Sequence, residues 1–179
     1  MINTALMKCL SKVCEESFAA AAKQAIQENE GQDECLTTDL SVSCDGTWMK
    51  RGHKSHFGVS TVIAIDTGKV LDLEVMSNYC HECATRKKDD SKEKELEWQK
   101  NHENNCQKNY FSAASGGMEA RAMVKIFNRS ITKHGVRYTN YLGDGDSSAF
   151  KSVCDSNPYG SDCKVTKLEC IGHVQKRMG

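Results

Sequence analysis

Apolar residues recur near the start of the chain at spacings of three to five: Leu6, Leu10, Val13, Phe18, Ala21 and Ala25, with an alanine run at Ala19–Ala22. That period predicts a helix over roughly residues 3–28. Residues 29–38 are polar and contain Gly31, a plausible helix stop, so they read as a linker. The period then changes. Leu40–Trp48 and Phe57–Ile65 are strand-like runs, the second rich in Val and Ile, and Val70–Met76 alternates apolar with acidic residues. Asp66-Thr67-Gly68-Lys69 separates the last two runs as a short turn, so these strands should pair as a hairpin within an antiparallel meander.

Tyr79–Ser115 breaks this pattern with a highly charged stretch, Arg86–Lys100, flanked by cysteine and histidine. Ser115-Gly116-Gly117 leads into a second helix, with Met123, Ile126 and Phe127 on one face and Ile131 a turn further on. Lys133-His134-Gly135 closes it, with cations in the last turn and a glycine after it. Val136–Leu142 predicts a fourth strand ending at Gly143-Asp144-Gly145-Asp146, Ser147–Asp155 a short helix, Pro158-Tyr159-Gly160 a turn, and Val165–Ile171 a fifth strand. Three strands, an insertion at about 79–115, then helix, strand, helix, strand predict an α/β fold with a mixed sheet. This is also the strand order of the RNase H-like fold. The expected division is an N-terminal helix and linker over 1–35 and a core over 36–179.

Composition narrows the function. A chain of 179 residues, 39% hydrophobic and 27% charged, fits one globular domain with a sizeable core. With 24 basic and 24 acidic residues the formal net charge is zero, which argues against a protein that merely coats nucleic acid. An enzyme that cuts nucleic acid stays open, because an acidic metal site offsets basic groove residues. No apolar run reaches the roughly 18 residues of a membrane span, and no signal peptide is expected at Met1–Cys14. The ten cysteines therefore read as thiols or metal ligands rather than a disulfide framework.

Two constellations carry chemistry. Asp45 lies inside the first strand run and Asp144 at the end of the fourth. If those strands are neighbours, the carboxylates converge and repel unless a cation lies between them. Mg²⁺ or Mn²⁺ suits such oxygen ligands, and two ions about 4 Å apart can activate a nucleophile and stabilise the leaving oxygen of a phosphodiester. Asp146 competes with Asp144 as the second ligand, and Asp-Gly pairs also simply favour turns. The second constellation is Cys80-x-x-Cys83 followed by His102-x-x-x-Cys106, two close pairs of soft ligands suited to one tetrahedral zinc. The segment between the pairs has Trp98 as its single large apolar anchor, so metal rather than burial should organise it. Zinc held by four such ligands would be structural, and His81 is a competing ligand.

The remaining features are weaker. Lys50-Arg51-Gly52-His53-Lys54 could meet DNA phosphates beside the acidic site, or be an ordinary solvated hairpin. Lys164, Lys167, Lys176 and Arg177 offer a second basic face. Cys170-x-x-His173 is a lone pair that on spacing alone reads as a buried cysteine and a satisfied histidine. Cys9, Cys14, Cys35, Cys154 and Cys163 show no ligand spacing.

Several stretches in combination resemble one family: Ser43-Cys44-Asp45-Gly46-Thr47-Trp48 with Lys50-Arg51-Gly52-His53; Ile65-Asp66-Thr67-Gly68-Lys69-Val70; Ser115-Gly116-Gly117-Met118-Glu119; Tyr141-Leu142-Gly143-Asp144-Gly145-Asp146-Ser147; and Glu169 through Gly179. Over roughly 36–179 they look like the Mutator-like transposase domain. The resemblance implies an RNase H-like core with an Asp, Asp, Glu triad that cuts DNA and transfers strands using Mg²⁺ or Mn²⁺. It also implies terminal inverted repeats as the DNA partner, action in the nucleus, and room for a homo-oligomer. Asp45 matches the first acid and Asp144 best matches the second, while Cys170 and His173 fit the family's Cys-x-x-His signature near the active site. The third acid belongs on a helix well beyond the fifth strand, which this sequence does not reach, so an incomplete active site is expected, inactive alone. The competing readings are a domesticated zinc-containing module that binds DNA or protein without catalysis, and a cellular nuclease of the same fold.

Overall fold

The computed structural model describes residues 4–29, 38–50, 55–86, 91–112, 117–143 and 148–169. Its elements are α1 (Thr4–Asn29), β1 (Thr38–Trp48), β2 (Phe57–Ala64), β3 (Val70–Ser77), α2 (His81–Thr85), α3 (Lys92–Glu103), α4 (Met118–His134), β4 (Val136–Gly143), α5 (Ser148–Ser156) and β5 (Thr166–Glu169). The five strands form one mixed sheet in the order β3-β2-β1-β4-β5. The meander pairs antiparallel, while β4 pairs parallel with β1 and β5 parallel with β4. Parallel neighbours need crossovers, and the helices α4 and α5 lie in the two connections that supply them. Every predicted strand is present to within two residues at its described start, and the α/β mixed sheet is as expected.

Local chemistry explains the element boundaries. The β2–β3 hairpin closes at Gly68, which takes φ 66°, a left-handed conformation that costs glycine little. Its N–H donates to Ala64 O at 2.9 Å. Helix α4 ends at Gly135, also left-handed at φ 70°, whose N–H donates to Ile131 O. Gly58 accommodates a neighbour instead: the Trp48 ring covers it so closely that a Cβ would lie 2.1 Å from Cζ3.

The core forms where β1, β2 and β4 meet the helices. Leu40, Val42, Cys44, Val62, Ala64, Val136, Tyr138 and Tyr141 join Met123, Ile126 and Phe127 of α4, Ala149 and Val153 of α5, and Ala21, Ala22 and Ala25 of α1. The apolar stripe of α1 is only half used. Phe18, Ala21 and Ala25 are buried, whereas Leu6, Leu10 and Val13 are each more than half exposed. Ile131 likewise falls off the buried face of α4, at 43% exposed. Both departures have one cause: periodicity shows that a face exists, but not how far along it a partner extends.

A charged network locks α4 to β3. Arg129 donates to both carboxylate oxygens of Asp72, at 2.7 and 3.1 Å, and to Glu74 at 2.6 Å. Lys133 reaches Asp72 at 2.9 Å and Glu15 of α1 at 2.9 Å, and Lys125 reaches Glu74 at 2.9 Å. The acidic positions that alternate along β3 therefore face the helix layer. Beside this network the Tyr138 hydroxyl is buried without a hydrogen-bond partner among the described residues. A buried donor left unpaired costs its desolvation. Tyr138→Phe should accordingly raise stability by about 1 kcal/mol, read as a higher urea midpoint at unchanged slope; a lower midpoint would show that the hydroxyl is satisfied.

Candidate functional site

The insertion, expected as a compact loop organised by metal, folds in its described part as two helices, α2 and α3, that bring four ligands together. The sulfurs of Cys80, Cys83 and Cys106 and a ring nitrogen of His102 all lie within 4.8 Å of one another. Cys80 Sγ and Cys83 Sγ are 3.4 and 3.1 Å from His102 Nε2, and Cys83 Sγ is 3.8 Å from Cys106 Sγ. Tetrahedral zinc with ordinary Zn–S and Zn–N bonds has S···S edges of about 3.8 Å and S···N edges of about 3.6 Å. The donor set and spacing therefore fit a Cys3His zinc site, with Cys80 and His102 buried and Cys83 and Cys106 half-buried. His81 is not part of the group; its ring faces the Tyr79 hydroxyl at 3.4 Å.

Second-layer contacts fix the histidine. His102 Nδ1 meets Glu82 Oε2 at 2.8 Å, which leaves Nε2 turned to the sulfurs, the arrangement that raises ligand basicity in metal sites. Trp98 stacks on His102 with centroids 4.4 Å apart and planes 15° apart. Arg86 lies over the indole at 4.0 Å and pairs with Glu95 at 3.0 Å. The thiols divide electrostatically. Backbone N–H groups of Cys83 and Gln107 pull Cys80 down to about 6. Burial and then the neighbouring sulfurs of Cys106 and Cys80 push Cys83 up to about 11. Sulfurs this close cannot all ionise without a cation to offset them, which is what bound zinc provides.

The acidic site is described in part. Asp45 is exposed on β1, opposite Thr61 of β2, and its Oδ1 accepts from the Gly46 N–H at 2.8 Å. The expected adjacency of the first and fourth strands is present: β1 runs parallel to β4, with Ser43 opposite Leu142. Asp45 lies two residues past that pair in β1, and β4 is described to Gly143, the residue before Asp144. Asp144, Asp146, Cys170, His173, Arg51, His53 and Lys54 lie outside the described residues; Lys50 is described and exposed.

A further carboxylate packs against Gly46, the residue that follows Asp45 in β1. Glu119, in the first turn of α4, packs so closely on Gly46 that a Cβ there would lie 3.0 Å from Oε2. Glu119 and Asp45 both raise the pKa of Tyr141, after burial and Cys44, and Glu119 together with burial pushes Cys44 up. Nothing in the spacing of a single glutamate on a helix marks it. The contact depends on where α4 crosses the sheet.

Eight described cysteines are free thiols, and no described helix is long and apolar enough to cross a membrane. No curated protein and no solved structure matches the chain. A family model described as Mutator-like transposase matches residues 1–179, extending the resemblance through α1, and the chain belongs to that family.

Proposed function

We propose that the chain forms an RNase H-like catalytic core of a Mutator-like transposase, in which Asp45 and Asp144 (or Asp146 in its place) hold Mg²⁺ or Mn²⁺ for cleavage and transfer of DNA phosphodiesters. The observation that carries this reading is the parallel pairing of β1 with β4, which sets the strand bearing Asp45 beside the strand that leads to Asp144. The sheet order β3-β2-β1-β4-β5 supports it, being the RNase H-like order. So does the contact of Glu119 with Gly46, the residue after Asp45, because a second carboxylate near that stretch of β1 suits a divalent cation that takes oxygen ligands. Zinc at Cys80, Cys83, His102 and Cys106 is structural, because four protein ligands leave no open position for chemistry. The DNA substrate is the terminal inverted repeat of the element, acted on in the nucleus. Lys50, Arg51, His53 and Lys54 contact its phosphates, and Cys170 and His173 stand near the metals. Self-association is compatible with this assignment.

Mn²⁺ titration followed by electron paramagnetic resonance tests the site without requiring turnover. Asp45→Asn should weaken Mn²⁺ binding by about tenfold or more, in line with the loss of a charged oxygen ligand. Zinc content should stay unchanged. Equal Mn²⁺ affinity in the variant and the parent would remove Asp45 from the metal site. A protein that binds zinc and DNA but no Mn²⁺ would favour the non-catalytic zinc module.

A further inference from the structure

Beyond the metal sites, the segment that leaves the zinc cluster forms one wall of an open cleft of about 340 Å³, lined by His56, Asn78, Lys108, Tyr110, Phe111 and Ser112. Three features of this cleft go together. Its wall is held in place: the backbone N–H groups of Asn109 and Tyr110 both donate to Ser77 O, at 3.0 and 2.9 Å. The Asn109 side chain accepts from Ser77 N at 2.7 Å and donates to Val75 O at 2.7 Å. Tyr110 is seated in the small core of Met76, Met118 and Ala122, and Cys106 anchors the preceding residues in the metal cluster. On that fixed wall Phe111 is 84% exposed, the most exposed large apolar side chain described. Finally, besides the Tyr110 ring the lining carries His56, Asn78, Ser112 and a cation, Lys108, and His56 and Asn78 hold each other at 2.9 Å, so that part of the cleft is pre-ordered.

An aromatic ring kept in water by a clamped backbone, beside a cation, is what a stacking platform for single-stranded nucleic acid requires. A folding role would have buried the ring, and a protein-docking face would show a wider exposed apolar surround than Phe111 and Tyr110 among His56, Asn78, Lys108 and Ser112. We propose that this cleft receives one unpaired nucleobase of a DNA strand, stacked on Phe111, with the adjoining phosphate at Lys108. The inference rests on the reading that the domain acts on DNA. It adds that the substrate is partly unpaired close to the cut. The cleft begins at the start of β2, about 13 Å along that strand from Thr61, the partner of Asp45, so one DNA strand can reach both.

The test uses the zinc-bound full chain and fluorescence anisotropy with an oligothymidine of about 12 nucleotides and a blunt duplex of the same length. Phe111→Ala should weaken single-strand binding by about tenfold and leave duplex binding unchanged. Phe111→Trp should restore it, and Lys108→Gln should lower the salt dependence by about one phosphate contact. Because Phe111 is exposed, the alanine variant keeps the fold, which circular dichroism verifies. Single-strand affinity unchanged by Phe111→Ala overturns the cleft assignment while leaving the DNA-processing reading standing, as does an equal loss on duplex. Phe111-dependent binding of oligouridine alone overturns the choice of DNA. A parent protein that binds neither oligonucleotide overturns both the cleft and the reading on which it rests.

Discussion

Purified protein should carry one zinc ion per chain, and Cys106→Ser should remove it and unfold the segment from His81 to Cys106. The expectation follows from what that segment lacks. Helix α2 buries no residue, and the one residue that α3 buries is His102, itself a ligand. Leu96, the other apolar residue of the helix besides Trp98, is 58% exposed. Burial therefore supplies almost none of the free energy needed to order some 25 residues, at roughly 1–2 kcal/mol of backbone entropy each. Structural zinc contributes on the order of 10–16 kcal/mol in small metal-folded units. Loss of one ligand should weaken zinc binding by about three orders of magnitude or more. Elemental analysis, loss of helical ellipticity on chelation and new protease cleavage between α2 and α3 read the effect. Metal-free protein with full helical content and an uncut insertion would refute it. The cleft wall at Lys108 and Phe111 should loosen at the same time, since Cys106 anchors its approach.

The largest effect on global stability is expected at Asp72. Its side chain is fully buried and holds Arg129 and Lys133 of α4. Burial by itself would raise the carboxyl pKa; the hydrogen bonds and charges of Arg129 and Lys133 outweigh it and hold the pKa below the ordinary range. Asp72→Ala would leave Arg129 with only Glu74 and the Leu73 carbonyl, and should cost about 3–5 kcal/mol, the usual penalty for breaking a buried ion pair from one side. The pH dependence has a definite sign. A carboxylate with a depressed folded pKa contributes stability that is fully present above its unfolded pKa of about 3.9 and is lost as pH falls through the lower folded value. Urea midpoints should therefore hold down to about pH 4 and then fall, with a shallower fall in Asp72→Ala. A variant within about 1 kcal/mol of the parent at pH 7 would show that the network is electrostatically neutral overall.

Both expected results depend on contacts that local pattern does not specify. The alternation of Leu71, Leu73 and Val75 with Asp72 and Glu74 identifies β3 as a strand, because its period is two. It does not say which face the acids take. A cation-bearing helix, α4, lies over them, so the charged side is the inner one. In the same way the stripe along α1 predicts a helix correctly, yet the sheet covers only its C-terminal half. The charged stretch between the ligand pairs reads as loop because it has no apolar period. It folds as helix because residues such as Lys92, Glu93, Lys94, Glu95 and Glu97 are good helix formers, and Trp98 caps the cluster from one side.

The sequence by itself determined the order of the five strands and of the helices outside the insertion, the turn glycines and the four residues of the Cys3His cluster. Each of these is a short-range property: a period, a left-handed residue, or two ligand pairs whose spacing already satisfies a tetrahedron. The family resemblance belongs here too, because its motifs are a few residues long, and the family model that matches residues 1–179 shows the membership from sequence alone. Only the tertiary structure decided that β1 lies parallel beside β4, that Glu82 orients His102, that Glu119 rests on Gly46 next to Asp45, and that Asn109 clamps Phe111 out into water. These contacts join residues as much as 99 positions apart, as in Asn140 to Ser41 across the β1–β4 pair. Their geometry is set by how the helices cross the sheet, a quantity to which the whole core contributes and which no local stretch of the chain encodes.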